Sequence, residues 1–318
     1  MTALATAVDR AAAILGPLGE RGAPLGPLTT YRVGGPAAIL ARIGSADDLR
    51  VVHRAVAVSG LPVLVVGRGS NLLVADRGFP GLAVALGAYA LEIEVDGSEV
   101  VAGGAVSLPV LARKTVAAGL TGLEWAVGVP GSVGGGVRMN AGGHGSDIAS
   151  TAVGVRVFDL RSGEDCAVPA SALGLRFRGS DLADHQVVVS ARFALAPGDR
   201  VASEAELAEI VHWRREHQPG GQNAGSVFVN PVPGQLSAGE VIDGLGLRGL
   251  RIGTAEVSPK HANFIQADEG GSADDVRALM AAVRARVLDA RGIALRSEIR
   301  QIGFDAHDDG VADREVAS

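Results

Sequence analysis

Glycine clusters punctuate this chain at Gly34-Gly35, Gly67 to Gly69 and Gly128 to Gly145, each beside a β-branched or small apolar segment. The 45 glycines are neither periodic, as in a collagen, nor mixed with serine, as in a flexible linker, so they mark tight loops between regular elements. A chain of 318 residues that is 47% hydrophobic can bury a sizeable core, and at roughly 100 to 200 residues per domain it divides into two or three folding units.

The formal charge of -6 and the 20% of charged residues argue against a basic footprint for nucleic acid or an anionic membrane. No apolar run approaches the roughly 20 residues that a bilayer-spanning helix needs. The apolar piece Ala11 to Leu15 follows Asp9 and Arg10 and is too short for a secretory signal, so residues 1–27 read as a leader helix. A lone cysteine, Cys166, allows neither an intrachain disulfide nor a thiolate metal cluster. These features favour a cytoplasmic protein without a metal site.

Strands are expected at Ala37 to Ile43, Val63 to Val66, Leu82 to Leu86, Leu91 to Val95, Val100 to Ala102, Val153 to Leu160 and Gln186 to Leu195. Ser45, with Asp48 at the third helical position, opens a helix carrying Leu49, Val52 and Val56 on one face. Ser107 to Ala118 reads as another helix, whereas Gly128 to Gly145 interrupts any regular pattern. Ala196-Pro197-Gly198-Asp199 reads as a linker, which places a domain boundary near residue 200. Beyond it, Ser203 and Glu206 suggest a capping box, and Val276, Leu279, Met280, Val283 and Val287 mark a helix from Ser272 to about Ala290. The acidic tail, residues 304–318, has little to pack and is expected to be mobile.

Glycine lets backbone N–H groups approach a phosphate, so each cluster is a candidate anion cradle. Gly67-Arg68-Gly69-Ser70-Asn71-Leu72 lacks the third small residue of a dinucleotide fingerprint, and Pro130-Gly131-Ser132-Val133-Gly134-Gly135-Gly136 is the better candidate. Tight structural turns are the alternative for any one loop, but three loops together favour a nucleotide cofactor. Farther on, Ala224 to Pro231 and Val257 to Ile265 mix polar groups into apolar segments, where ligand contact and internal hydrogen bonding are both open.

Five ordered blocks then carry a family resemblance: Thr30-Tyr31-Arg32-Val33-Gly34-Gly35-Pro36-Ala37, Gly67 to Val74, Gly128 to Gly135, Gly225-Ser226-Val227-Phe228-Val229-Asn230-Pro231 and Lys260-His261-Ala262-Asn263-Phe264-Ile265. The chain resembles the UDP-N-acetylenolpyruvoylglucosamine reductases (UDP-N-acetylmuramate dehydrogenases) from about Leu28 to Gly303, and without a long insertion after Gln218-Pro219 it looks like their shorter, type II branch. The resemblance implies an α+β fold: a two-lobed FAD-binding domain of the vanillyl-alcohol oxidase (PCMH) type at 28–199, with lobes of about 28–86 and 87–199, and an α+β substrate domain at 200–303. It implies noncovalent FAD, NADPH as co-substrate and a UDP-sugar as substrate, and says nothing of oligomeric state. Another FAD oxidoreductase of this architecture and a flavin-binding module without turnover are the alternatives.

By the same resemblance, Arg178, Ser226 and Glu298 match the catalytic positions. Tyr31, Arg32, Gly67, Arg68, Gly69, Ser70, Asn71, Leu72, Gly128, Val129, Pro130, Gly131, Ser132, Gly134, Gly135, Asn140, Ala141, Gly142 and Gly145 match cofactor positions. Arg214, Asn230, Lys260 and His261 match the substrate diphosphate site, Arg214 being preferred to Arg215 because it shares the apolar stripe of its helix. The chain departs from the family at Phe177, where tyrosine is usual, at Val229, where lysine is common, and at Gly143-His144, in place of Ala-Tyr.

Overall fold

The computed structural model describes residues 2–305, which divide into two compact units. The first takes residues 2–23, 37–69 and 80–216, and the second takes residues 24–36, 70–79 and 217–305. Both mix helices with strands, which makes the chain an α+β protein. No described helix is long and apolar enough to cross a membrane.

Helix α1 (Ala3–Leu15) starts where Thr2 accepts a hydrogen bond from the Ala5 N–H, and it stops at Gly16. The expected leader is a core helix: Ala11 and Leu15 are buried in one cluster with Ile39 and Val52. That cluster is built on a four-stranded sheet in the order Gly19–Arg21, Ala37–Ile43, Phe79–Leu86, Val63–Val66. Helix α2 (Ala46–Ser59) covers it, opened by the expected capping box of Ser45 and Asp48 and closed by Gly60 in the left-handed region.

A second core in the same unit surrounds an antiparallel five-stranded sheet, ordered Asp165–Pro169, Ala152–Asp159, Gln186–Ala194, Glu99–Gly103, Ile93–Asp96. The central strand Gln186–Ala194 serves both cores. Val187 and Val189 pack into the cluster that α2 covers, and Val188 packs into the other. Strict alternation would then turn Ala191 and Phe193 toward α2. A bulge prevents this: Arg156 pairs with Ser190 and the next residue, Val157, with Val188, leaving Val189 as the extra residue. Ala191 and Phe193 therefore join Val188 in the second core.

Helices α3 (Leu108–Ala117), α4 (Val133–Arg138) and α5 (Arg200–His217) follow. Three consecutive glycines, poor helix formers, hide α4 from a pattern reading, and Ser132 caps it by accepting from the Gly135 N–H. The segment expected to be a linker is a short strand, Ala196–Pro197, paired with Leu120–Thr121. Asp199, not Ser203, caps α5, accepting from the Val201 and Ala202 N–H groups at 2.8 and 3.3 Å. Leu207 and Ile210 bury that helix in the core of the first unit, so the division falls at the end of α5 and not near residue 200.

Ser203 instead lies buried within α5 and donates to Glu124 at 2.7 Å. Burial would raise the Glu124 pKa, but hydrogen bonds from Ser203, Thr121 and the Gly122 N–H outweigh it and hold the carboxyl below its ordinary value. A depressed folded pKa contributes stability above the unfolded pKa, and that stability is lost as pH falls through the folded value. Ser203→Ala is therefore expected to lower stability by about 1.5–3 kcal/mol at pH 7, since it removes a bond to a buried charge. Urea melts should show its gap from the wild type closing in acid; a gap that does not depend on pH would contradict the assignment.

The second unit contains α6 (Ala238–Asp243), with a Ser237–Glu240 capping box, and α7 (Ala273–Arg291), capped by Ser272 and stopped by Gly292. Val276, Leu279, Met280, Val283 and Val287 of α7 form one buried stripe, in a core with Tyr31, Val33 and Leu73. A three-stranded antiparallel sheet runs Arg251–Ile252, Ala255–Val257, Ile265–Ala267, and Leu72–Val74 pairs in parallel with Arg300–Ile302. Two early segments join this unit through contacts between residues distant in sequence. The Asp76 carboxylate accepts from Ser272 Oγ and from the Ala273 N–H, at 2.5 and 2.9 Å, at the end of α7 where first-turn amides have no intrahelical partner. Gly35 crosses Asp76 so closely that a Cβ would lie 2.1 Å from the Asp76 carbonyl oxygen.

The first residues of the acidic tail are held. Arg77 pairs with both Asp305 oxygens at 2.6 and 2.7 Å, and the Arg277 guanidinium sits 4.6 Å from the centre of the Phe304 ring. The rest of the expected tail, from residue 306, lies outside the described residues.

Candidate active site

In the first unit, strand Val63–Val66 delivers Gly67, Arg68 and Gly69 beside the loop that opens α4. A Cβ on Gly67 would lie 2.4 Å from Ser132 Oγ, so the two glycine loops meet only because that side chain is missing. The expected row of donors in Pro130 to Gly136 is largely used inside the chain. Val133 N–H donates to Val106, Gly134 to Gly104, Gly135 to Ser132 Oγ and Gly136 to the Ser132 carbonyl. This segment therefore offers a ligand a bare backbone more than a set of open amides.

Burial divides the expected cofactor residues. Tyr31, Gly69, Leu72, Gly128, Gly131, Ser132 and Asn140 are buried and build the loops. Arg32, Gly67, Arg68, Pro130, Gly135 and Gly145 are exposed, and Ser70, Asn71, Val129, Gly134, Ala141 and Gly142 are half-buried. The Tyr31 ring belongs to the core of the second unit, which pushes its phenol pKa up, and Arg32 is the accessible member of that pair. Asn140 is committed on both sides: its oxygen accepts from the Ala149 N–H at 2.9 Å and its amide donates to Asp147 at 3.0 Å. Those bonds shape the turn behind the loop.

Among the described residues, the non-glycine positions with positive φ are Arg32, Asn140, His144 and Arg178. Such backbone costs on the order of 1–3 kcal/mol per residue and persists where surrounding contacts enforce it, often at functional sites. His144 and Gly145, at φ 50° and 85°, turn the hairpin between Gly142–Gly143 and Ser146–Asp147. The His144 ring meets Trp213 of α5 edge-on at 5.4 Å, so this departure from the family fills a turn. Arg178 lies in a second tight turn, closed by reciprocal Arg176–Gly179 backbone bonds. Its guanidinium stands 5.2 Å from the centre of the exposed Phe177 ring and donates to the Gly142 carbonyl at 3.1 Å.

Arg214 also belongs to the first unit. It is half-buried, whereas Arg215 is exposed, and burial pulls its pKa down. A Cβ on Gly128 would lie 3.5 Å from both Arg214 Cδ and His144 Nε2.

Ser226 and Glu298 come together in the second unit through backbone pairing. Val227, next to Ser226, donates to the Asn263 carbonyl and accepts from the Glu298 N–H, at 2.9 and 2.8 Å. The buried Asn263 carboxamide accepts from the Phe228 N–H and donates to the Phe228 carbonyl. Asn71 donates to the Glu298 carbonyl at 3.0 Å, so the block Gly67 to Val74 supplies both units. Asn230 accepts from Ala238 at the start of α6. Lys260 is exposed and His261 is half-buried, with Nδ1 accepting from the Asn263 N–H. Burial, then the nearby Arg248 charge, lowers the His261 pKa and favours the neutral ring. The polar groups of this second block thus divide: Asn263 satisfies the backbone, while Lys260 reaches the surface.

A model of an FAD binding domain matches residues 37–166, and a model of the C-terminal domain of UDP-N-acetylenolpyruvoylglucosamine reductase matches residues 217–302. The UDP-N-acetylenolpyruvoylglucosamine reductase of Heliobacterium modesticaldum is 44% identical over 282 residues, covering 88% of this chain and 89% of its own. That of Gloeobacter violaceus is 43% identical over 294 residues, covering 89% and 96%. The crystal structure of the Thermus caldophilus reductase superposes with a TM-score of 0.78 at 33% identity, over 89% of this chain and 98% of that one.

Proposed function

The chain belongs to the UDP-N-acetylenolpyruvoylglucosamine reductase family, and from that premise we propose that it reduces UDP-N-acetylglucosamine enolpyruvate to UDP-N-acetylmuramate in peptidoglycan precursor synthesis, using NADPH, with noncovalent FAD in the first unit and the UDP-sugar on the second. When bound, FAD supplies the hydride, taken from NADPH, to the terminal carbon of the enolpyruvyl ether. The exposed backbone of Gly67, packed against the buried Ser132, and of the nearby Gly135 fits a cofactor that needs close backbone approach. The only cysteine, Cys166, lies in strand Asp165–Pro169, away in sequence from these loops.

Hydride arrival pushes negative charge through the adjacent carbon into the substrate carboxylate. Arg178 would hold that carboxylate with a planar, permanently cationic fork. Ser226 would donate the proton that completes the adjacent carbon, with Glu298 organising the proton network. Overall, the ether gains one hydride from NADPH and one proton from solvent by way of the serine. The observation that carries this reading is the shared backbone framework of Ser226 and Glu298, in which Val227 bonds to Asn263 on one side and Glu298 on the other.

The purified protein is expected to be yellow, to bleach with NADPH in the absence of oxygen, and to regain its colour on adding the enolpyruvyl sugar. Acid precipitation should release the flavin into the supernatant. Colour that the sugar fails to restore would overturn the reaction, and flavin retained by the precipitate would overturn the noncovalent mode.

A further inference from the structure

Three residues expected at the substrate diphosphate converge on one short helix. Asn230 accepts from the Ala238 N–H at the first residue of α6, at 3.1 Å. The His261 ring lies over Gly239, where a Cβ would come 3.4 Å from Cε1, and it meets Phe264 edge-on at 4.7 Å. Lys260 is tied to the far end of the helix through Arg248. Arg248 Nε and Nη2 donate to the two oxygens of Asp243, the last residue of α6, at 2.5 and 2.9 Å. Its remaining arm, Nη1, donates to the Pro259 and Lys260 carbonyls, both at 2.9 Å.

Resting on the reading above, we propose that Asp243 and Arg248 are positioning residues, a clamp that locks the Pro259–Lys260 backbone to α6 and so presents Lys260 and His261 to the diphosphate of the nucleotide sugar. The planar guanidinium suits this task, because one side satisfies a carboxylate in two-point fashion while the other bridges consecutive carbonyls. Lysine has one charged atom and cannot reach both partners in that geometry. Asp243 sets the guanidinium plane, and its pKa is held below the usual value by the Arg248 hydrogen bonds. The tetrahedral ammonium of Lys260 and the His261 ring sit on the segment that this pair fixes, so loosening the clamp misplaces the phosphate donors without touching the reacting carbon.

The test combines calorimetric titration with UDP and steady-state turnover of the enolpyruvyl sugar, on holoenzyme of matched flavin content. Arg248→Ala is expected to weaken UDP binding and to raise KM for the sugar by about tenfold, with kcat changed by less than about twofold, the pattern of lost uniform binding. Asp243→Asn should show a smaller change in the same direction, and Arg248→Lys should recover only part of the loss. If Arg248→Ala does not fold, Asp243→Asn and Arg248→Lys carry the same comparison. Unchanged UDP affinity in folded variants overturns the clamp, as does a fall in kcat and flavin content with KM constant. A wild type that binds UDP and loses that affinity in Arg248→Ala, yet does not reduce the sugar, overturns the reaction while the clamp stands. A wild type that binds no UDP overturns both.

Discussion

Replacing Arg178 with alanine is expected to slow the half-reaction in which the enolpyruvyl sugar restores flavin absorbance by about 100-fold to 1,000-fold, the usual loss for one preorganised donor at a developing charge. Only interactions stronger in the transition state than in the ground state accelerate the chemical step, and the substrate carboxylate gains charge as hydride arrives. The proposed role would draw on the backbone of Arg178. It sits at φ 56° in a tight turn, and its side chain is steadied by the Gly142 carbonyl and the Phe177 ring. Arg178→Lys is the informative partner, because it keeps the charge and loses the fork, and its rate should fall between the wild type and alanine. Bleaching by NADPH should be nearly unaffected in both. A purely architectural Arg178 predicts something else: lower melting temperature and flavin occupancy, with normal turnover per bound flavin. A normal rate per flavin in Arg178→Ala would sink the catalytic assignment.

Ser226→Ala should leave bleaching by NADPH close to the wild-type rate and slow recovery of colour by the sugar about 100-fold or more, the range for loss of a positioned general acid. The serine hydroxyl is a weak acid in water, so its role depends on placement. The neighbouring residue would supply that placement, since Val227 is bonded through both its N–H and its carbonyl, and Gly225 turns the chain at φ 80°. Alanine retains that framework and removes only the hydroxyl. Stopped-flow absorbance separates the two half-reactions, and a second half-reaction at the wild-type rate would refute proton donation by Ser226.

Features of this protein that depend on neighbours in sequence were determined by the sequence itself. The strands Ala37–Ile43 and Val63–Val66 and the Ser45–Asp48 capping box arise where expected, because short runs of β-branched and apolar residues and N-cap bonding involve residues a few positions apart. The same local grammar misleads where a distant partner competes. Ser203 has the spacing of a cap, but Glu124, 79 residues earlier, takes its hydroxyl. Gly134 to Gly136 read as loop, although Ser132 and the backbone of Gly104 to Val106 hold them in a helical turn.

The candidate site divides in the same way. Its residue types were legible as blocks, but which atoms reach the surface was decided by packing: Tyr31 and Asn140 turn inward, while Arg32, Gly67 and Lys260 stay accessible. Nor does chain order reveal that residues 70–79 belong with residues 217–305. Asp76 serves the α7 amides and Leu72–Val74 pairs with Arg300–Ile302, bonds that span some 200 residues or more and exist only after the chain has folded. Local preference is written residue by residue, whereas a buried hydrogen bond or a paired strand edge is satisfied by whichever partner tertiary folding brings within reach.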